Sequence, residues 1–379
     1  MQKNKINNLT KVVYIISHLE KSMTFEWVLK YIDKSKFEIH VISLNQHAAT
    51  YLNQYCESLQ IPFYHISYRS KKDIPKAIYS CLRLFQKIKA DIVHAHLIDA
   101  GLVGLTAATI LRIKKRIYTR HYSTLHHEYY PNGVKYDHYI NKIATGIIAI
   151  SENVQNVLIQ QEHVPASKVQ LIYHGFDLSA YDDINQDRIA LIKTKYNLHN
   201  KGPVIGMVSR YFKLKGIEYA LEAFRQYLEI YPNAVFVIAN AFGPDENEIK
   251  EKLALLPEDS YREIYFEQDM IALYKCFDLF IHVPINNQIE AFGLIYIEAL
   301  LAELPCIFTK SGIANEVIIN NQNAIVVDYK NSDEILEAMC SITEDEILKN
   351  ELKNAKKRGH CNKFSVYLTV RKHENLYLL

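Results

Sequence analysis

Glycine is scarce in this chain, at 12 of 379 residues, below the roughly 7 per cent of average usage. No Gly-x-Gly-x-x-Gly follows the first apolar run, which speaks against a dinucleotide-dependent dehydrogenase. The glycine spacing of a P-loop is missing, as is the Gly-x-Ser-x-Gly turn of a serine hydrolase. The six cysteines, Cys56, Cys81, Cys276, Cys306, Cys340 and Cys361, show no Cys-x-x-Cys or metal-finger spacing. They read as reduced, mostly buried thiols of a cytosolic protein. Strong charge of one sign is also absent. The formal net charge is +2, too mild for the basic face of a nucleic-acid binder. The longest apolar stretch, Ala100 to Leu111, lies between Asp99 and Arg112 and cannot span a bilayer. The early run VVYIIS is too short for a signal-peptide core. The expectation is a soluble cytoplasmic chain, free to work peripherally at the inner face of a membrane.

What the chain does have is a steady alternation of short β-branched apolar runs with helical patterns. The first series is VVYIIS, FEIHVISL, IPFYHIS, ADIVHAH, KRIYTRH, GIIAIS and VQLIYH. The second is PVIGMVSR, AVFVIAN, EIYFEQ, LFIHVP, PCIFTK and NAIVVD. Continuous apolar strands separated by helices predict parallel sheets covered on both faces, an α/β class. A polar stretch from Leu178 to Lys201 divides the two series. The expected organisation is a Rossmann-like domain over 1–185, a second over 186–361, and a closing helical segment over 362–379. Such sheets bind ligands outside the carboxyl ends of their strands. Two sites facing across a cleft are therefore expected. The basic cluster RIKKR, Arg112 to Arg116, reads as a solvated loop.

Two stretches carry chemistry. In EAFGLIYIEALLAELP, Glu290 to Pro305, two glutamates are separated by seven residues, with Phe292 and Gly293 where a helix should begin. Gly293 lets a ligand approach the backbone, and the free N–H groups from Leu294 onward suit a phosphate. Glu298 follows roughly 7 to 8 Å along that helix, a span that fits ribose hydroxyls when the diphosphate rests on the helix start. In GMVSRYFKLKGIEYALEAF, Gly206 to Phe224, Arg210 ends a buried strand, and Lys215 and Gly216 precede a helix. Two cations so placed neutralise a diphosphate leaving group by electrostatics alone. Taken separately, each stretch also reads as ordinary surface charge on an amphipathic scaffold.

Together the Arg/Lys pair and the Glu-x7-Glu motif resemble the retaining GT-B glycosyltransferases of family 4. HGFD at His174 to Asp177, SGIANEVI at Ser311 to Ile318 and the ending FSVYLTVRKHENLY add to the likeness. The resemblance implies a metal-independent enzyme with no cofactor. Its donor would be a nucleoside-diphosphate sugar, UDP- or GDP-linked, and its acceptor a glycan or a lipid-linked sugar, as in cell-surface polysaccharide synthesis. It implies that Arg210 and Lys215 bind the diphosphate and that Glu298 binds the ribose. The backbone at Phe292, Gly293 and Leu294 would meet the phosphates and sugar, and Glu290 the sugar hydroxyls. His121 would stand against the transferred sugar, and the last helix would return to the first domain.

Other histidines invite weaker readings. His121, His126, His127 and His138 cluster in sequence without metal-ligand spacing. His94 and His96 should share one strand face as packed core residues. Asp99 follows their strand as a candidate cleft residue. One departure from the family is plain: the turn after the first strand, SHLEKSMTFEW, Ser17 to Trp27, has no glycine. A nucleotide-sugar-binding protein without turnover and a GT-B nucleotide-sugar epimerase are the alternatives.

Overall fold

A computed structural model of the chain describes residues 9–182, 184–354 and 359–379. Residues 1–8, 183 and 355–358, which the expected domain ranges include, lie outside the described residues. Internal contacts divide the chain into Met1–Phe176 with Phe364–Leu379, and Asp177–Lys363.

The first unit carries β1 (Thr10–Ser17), β2 (Phe37–Asn45), β3 (Phe63–Ser67), β4 (Ile92–His96), β5 (Lys115–Arg120), β6 (Gly146–Ala149) and β7 (Val169–Leu171). They form one parallel sheet in the order β3-β2-β1-β4-β5-β6-β7. Each falls on a run of the first series. Val12, Val13, Tyr14 and Ile15 of β1 are fully buried, as are Val93, His94 and Ala95 of β4. A strand enclosed on both faces loses the alternation of an amphipathic one and keeps only a continuous apolar run.

The second unit carries β8 (Val204–Val208), β9 (Val235–Ala239), β10 (Tyr261–Ile264), β11 (Leu279–His282), β12 (Cys306–Phe308) and β13 (Ile325–Val326). Their parallel order is β10-β9-β8-β11-β12-β13. β10 begins before the expected EIYFEQ run, of which only Glu263 and Ile264 are strand; Tyr265 and Phe266 are exposed.

In both sheets the winding direction reverses beside the first strand, between β1 and β4 and between β8 and β11. Loops leaving neighbouring strands there part to opposite sides and open a crevice at the carboxyl end. Each unit therefore has one topologically favoured place for a ligand.

Helices cover both sheets. α1 (Met23–Tyr31) is capped by Ser22, whose hydroxyl accepts from the Phe25 N–H. The first unit also contains α2 (Val134–Ile143). In the second unit, α3 (Ile217–Ile230) buries Ile217, Ala220, Leu221, Phe224 and Tyr227 against the sheet, the stripe of a one-faced helix. α4 (Met270–Tyr274) and α5 (Leu294–Leu301) follow. α6 (Val366–Leu378) belongs to the first unit. It docks through a Tyr31–Tyr367 ring contact at 4.9 Å and a buried hydrogen bond of 2.6 Å between the Tyr14 and Tyr377 hydroxyls.

Two expectations need correction. The boundary lies before Asp177 rather than at 185/186, because Tyr181 is buried in the second unit at 1% exposure, near Glu298. The RIKKR segment is not simply a solvated loop. Lys115 and Arg116 open β5; Lys115 Nζ donates to the Tyr377 carbonyl at 2.5 Å, and Arg116 donates to the carbonyls of Ile113 and Ile143.

The end of β5 is anchored by a buried ionic cluster. Arg120 is fully enclosed, with Nη1 3.2 Å from Asp137 Oδ1 and Nη2 2.6 Å from Glu162 Oε1. Its guanidinium lies 3.8 Å from the Tyr122 ring centroid. His126 Nδ1 reaches Asp137 at 2.7 Å, and His127 Nε2 reaches Glu162 at 3.1 Å. These two histidines serve carboxylates, and the described residues contain no cluster of His, Cys, Asp or Glu suited to a metal.

Candidate functional site

At the switch point of the second unit the chain leaving β8 meets the chain leaving β11. Lys213–Lys215 forms one turn of 3-10 helix that ends at Gly216, with φ +69°. A Cβ on Gly216 would stand 1.9 Å from the Val283 carbonyl oxygen. Only glycine permits this conformation and this approach together. The Ile285 N–H donates to the Leu214 carbonyl at 3.1 Å and completes the join. Lys215 is thereby aimed across β11, and its Nζ donates to Glu290 Oε1 at 2.5 Å.

Glu290 is buried, at 8% exposure. Its Oε1 also accepts from His282 Nε2 at 2.9 Å, and its backbone N–H donates to Ser311 Oγ at 3.0 Å. Burial pushes this carboxyl up, but Lys215 and the His282 hydrogen bond outweigh it and hold Glu290 well below the usual carboxylate range. His282 is fully buried, and burial keeps it neutral against the pull of Glu290. Below this loop, Gly312 of the SGIANEVI stretch takes φ +55°, and a Cβ there would meet the Glu290 carbonyl oxygen at 2.6 Å. That stretch is the floor under the Glu290 loop.

Gly293, at φ +82°, precedes the first residue of α5, Leu294. Phe292 is buried at 3%, so its backbone rather than its ring is what a ligand at the helix start could meet. Arg210 is exposed just beyond β8, its guanidinium 5.4 Å from the Phe242 ring centroid, and it forms no ion pair among the described residues. Phe242 in turn lies 4.8 Å from the Tyr265 ring, in an aromatic corner the sequence reading did not single out. Its only signal was one aromatic shortly after the AVFVIAN run and another inside the EIYFEQ run.

Glu298 stands in the second turn of α5, 8% exposed, where its Oε2 accepts from the Tyr274 hydroxyl of α4 at 2.8 Å. Burial raises its carboxyl to about 7, partly opposed by that hydrogen bond. The sign is the reverse of a salt-bridged acid. The folded state holds the proton more tightly, so this group's contribution to stability is full below the ordinary carboxylate pKa and is lost as pH rises from there through about 7. If Glu298 accepts ribose hydroxyls, binding must release that proton. UDP affinity is then expected to climb between pH 5.5 and about 7 and to level above it. Calorimetry across that range checks this. Glu298→Gln should weaken binding and flatten the profile; an unchanged profile counts against the ribose role.

Lys215, Glu290, Phe292, Gly293 and Leu294 are thus brought together beyond the carboxyl end of β11, with Arg210 at the end of the adjacent strand β8. His121 lies in the other unit, beyond β5. Its Nε2 shares a hydrogen bond of 3.1 Å with His96 Nδ1, and its ring stacks on His174 at 5.4 Å. Burial, helped by His174, lowers it to about 3, so the ring is neutral at physiological pH. His94 and His96 share a strand face with ring centroids 4.3 Å apart, and His94 bridges the Tyr377 hydroxyl and Thr119, each at 2.7 Å.

The family model described as Glycosyl transferases group 1 matches residues 189–359, and that of Glycosyltransferase Family 4 matches residues 28–180. The chain is 27% identical to the capsular polysaccharide biosynthesis glycosyltransferase CapM of Staphylococcus aureus, over 97% of this chain and 96% of that one. It is 23% identical to the UDP-Gal:α-D-GlcNAc-diphosphoundecaprenol α-1,3-galactosyltransferase of Escherichia coli, over 90% and 89%. A crystal structure of HepE from Anabaena in complex with UDP-glucose superposes with a TM-score of 0.82 at 19% identity, over 97% of this chain and 100% of that one.

Proposed function

We propose, for a chain that belongs to the group 1 glycosyltransferases of GT-B fold, that its second unit binds a nucleoside-diphosphate sugar. The sugar is then passed, with retention of configuration, to a glycan or lipid-linked acceptor. The observation that carries the reading is the Lys215–Glu290–His282 chain at the start of α5, with Arg210 exposed at the end of the adjacent strand. The two relatives named above support the acceptor class, one acting in capsule synthesis and one on a diphosphoundecaprenol-linked sugar.

In this mechanism the diphosphate rests on the first N–H groups of α5, where the helix dipole favours an anion. Arg210 and Lys215 take up the negative charge that grows on the diphosphate as the glycosidic bond breaks. Lys215 serves both partners because an ammonium has three donors and Glu290 takes one. Glu290, kept ionised, accepts from the sugar hydroxyls. Glu298 accepts from the ribose. The Phe242–Tyr265 corner offers an aromatic face to the base. His121, the sugar contact that the family resemblance implies, is neutral. The positive charge comes from side chains, so binding is expected to need no metal and no cofactor. The place of work is the cytoplasm or the cytoplasmic face of the membrane; no helix among the described residues is long and apolar enough to cross one.

A thermal-shift screen against UDP, GDP, ADP and their sugar conjugates, with and without EDTA, tests this reading. A ligand bound only by the folded state raises Tm. One nucleotide should do so, and the rise should survive EDTA. No shift at millimolar concentration would contradict the donor site.

A further inference from the structure

The mild net charge of the chain conceals two large charges of opposite sign. The first unit, Met1–Phe176 with Phe364–Leu379, carries 24 Lys and Arg against 13 Asp and Glu, a formal charge of +11. The second unit carries 20 against 29, a formal charge of −9. Within the first unit a large share of the excess falls on one side of the sheet. The chain runs from β1 through β2 to β3 in one direction, then returns through β4, β5 and β6 in the other. Right-handed crossovers therefore place the connections after β3, β4 and β5 on one face, and α1 on the opposite face. The helix Ile74–Ile88 follows β3, the helix Thr106–Ile110 follows β4, and α2 follows β5. Thr106 Oγ1 and the Tyr139 hydroxyl of α2 share a hydrogen bond of 2.9 Å. The Lys71 ammonium, just ahead of Ile74–Ile88, lies 5.4 Å from the Tyr136 ring centroid of α2.

Two of these helices repeat one pattern. Ile74–Ile88 buries Ala77, Cys81, Phe85 and Ile88. Lys72, Lys76, Tyr79, Arg83 and Lys87 recur every three or four residues on its other side, and all five are exposed. In α2, Asp137, Ile140 and Asn141 are buried, while Lys135, Tyr139 and Lys142 are exposed. The six cations of these two stripes form no ion pair among the described residues. Lys71 instead turns inward, its Nζ 3.7 Å from Asp99, which also pairs with His18 at 3.1 Å. The nearby acids are engaged elsewhere. Asp73 accepts from the backbone N–H groups of Arg69 and Ser70, and Asp137 is enclosed with Arg120. Between the cations stand large side chains in water: Tyr79 is 62% exposed, Ile110 57% and Tyr130 54%. Tyrosines interleaved with lysines suit the boundary of water and lipid, where rings lie at headgroup level and ammonium groups reach phosphate. A duplex nucleic acid would engage the cations but offers nothing to Ile110.

We propose that this cationic, tyrosine-bearing face of the first unit docks on an anionic lipid bilayer. The inference goes beyond the donor site, stands on the first unit alone and needs no nucleotide. Of the two places of work named above it selects the membrane face. The stripes of Ile74–Ile88 and α2 meet lipid phosphates together, and Tyr79, Tyr130 and Ile110 settle among the headgroups. Attraction of this kind is strong only within a Debye length of the surface, so cations on the opposite face contribute little. For a lipid-linked acceptor, docking brings enzyme and substrate to one plane.

The test uses the full chain without nucleotide. Its sedimentation with vesicles of phosphatidylcholine alone is compared with that on equal parts of phosphatidylcholine and phosphatidylglycerol. Wild type should pellet with the anionic vesicles only, and added salt should release most of it. Each cation near such a surface contributes about fivefold to partitioning. The triple variant Lys76→Gln, Arg83→Gln, Lys87→Gln should therefore bind more weakly on the order of 10²-fold. Lys30→Gln, Lys34→Gln, Arg371→Gln removes the same charge beside α1 and α6, also from exposed positions, and should bind nearly as wild type. Tyr79→Ser with Tyr130→Ser should lose the part of the binding that salt leaves. Tm values matching wild type show that each variant is folded. Absence of pelleting with anionic vesicles at low salt overturns the proposal, as do equal losses in the two triple variants. Tighter binding to duplex DNA than to the anionic vesicles at the same salt overturns it too. A protein that pellets as expected but binds no UDP loses the donor reading and keeps this one.

Discussion

Arg210→Ala should lower turnover by 10²- to 10³-fold, about 3 to 4 kcal/mol of transition-state stabilisation, the cost of one preorganised group facing developing charge. Stability should hardly move. Arg210 is exposed, with its guanidinium 5.4 Å from the Phe242 ring centroid, and substitutions at such surface positions usually fall within about 0.5 kcal/mol. Lys215→Ala should lose turnover to a similar degree but behave differently in unfolding. It leaves Glu290 buried without its ammonium partner, with the neutral His282 still on its Oε1. Removing one partner of such a pair costs several kcal/mol because the other charge stays enclosed. The contrast between the two variants is the informative part. Steady-state rates with denaturant unfolding on the same preparations check it. Equal stability losses would mean that Arg210 is structural as well, and unchanged rates in both would remove the diphosphate site.

The second large effect concerns the fold. Arg120→Ala should cost about 3 to 5 kcal/mol, because Asp137 and Glu162 would remain fully enclosed without their shared cation. Spread over a unit of this size, that corresponds to a fall in Tm on the order of 10 °C. Calorimetry reads it directly. The loss should be confined to the transition of the first unit, with UDP still binding the second. Arg120→Met, which restores volume but not charge, should recover little. A near-wild-type Tm in Arg120→Ala would show that the two carboxyls bind protons instead of needing the guanidinium.

The strands were legible because parallel sheets bury both faces, and a doubly buried strand such as VVYIIS or AVFVIAN needs no partner to be read. The Glu290 to Glu298 spacing was legible for a similar reason: α5 is one continuous helix behind a glycine, and local geometry fixes it. What escaped was set by pairing across the sheet. Nothing in SHLEKS says that His18 meets Asp99, and nothing near Arg120 says that Glu162 will neutralise it, because those neighbours are chosen by strand order. His282 was visible as the one polar residue in LFIHVP, a strand otherwise wholly apolar, and that is a signal the reading passed over. The boundary was placed late because the polar composition after Leu178 conceals a single buried tyrosine, Tyr181. The basic RIKKR segment misled in the same way, since two of its charges turn inward to carbonyls.

The proposed function stands on a sugar nucleotide being bound through Arg210 and Lys215. Isothermal titration of UDP-glucose into wild type, Arg210→Ala and Lys215→Ala, all in EDTA, addresses it most directly. The account predicts saturable one-site binding to the wild type that weakens by at least tenfold in each variant. Equal affinity in all three proteins, or binding that appears only when a divalent cation is restored, would contradict it.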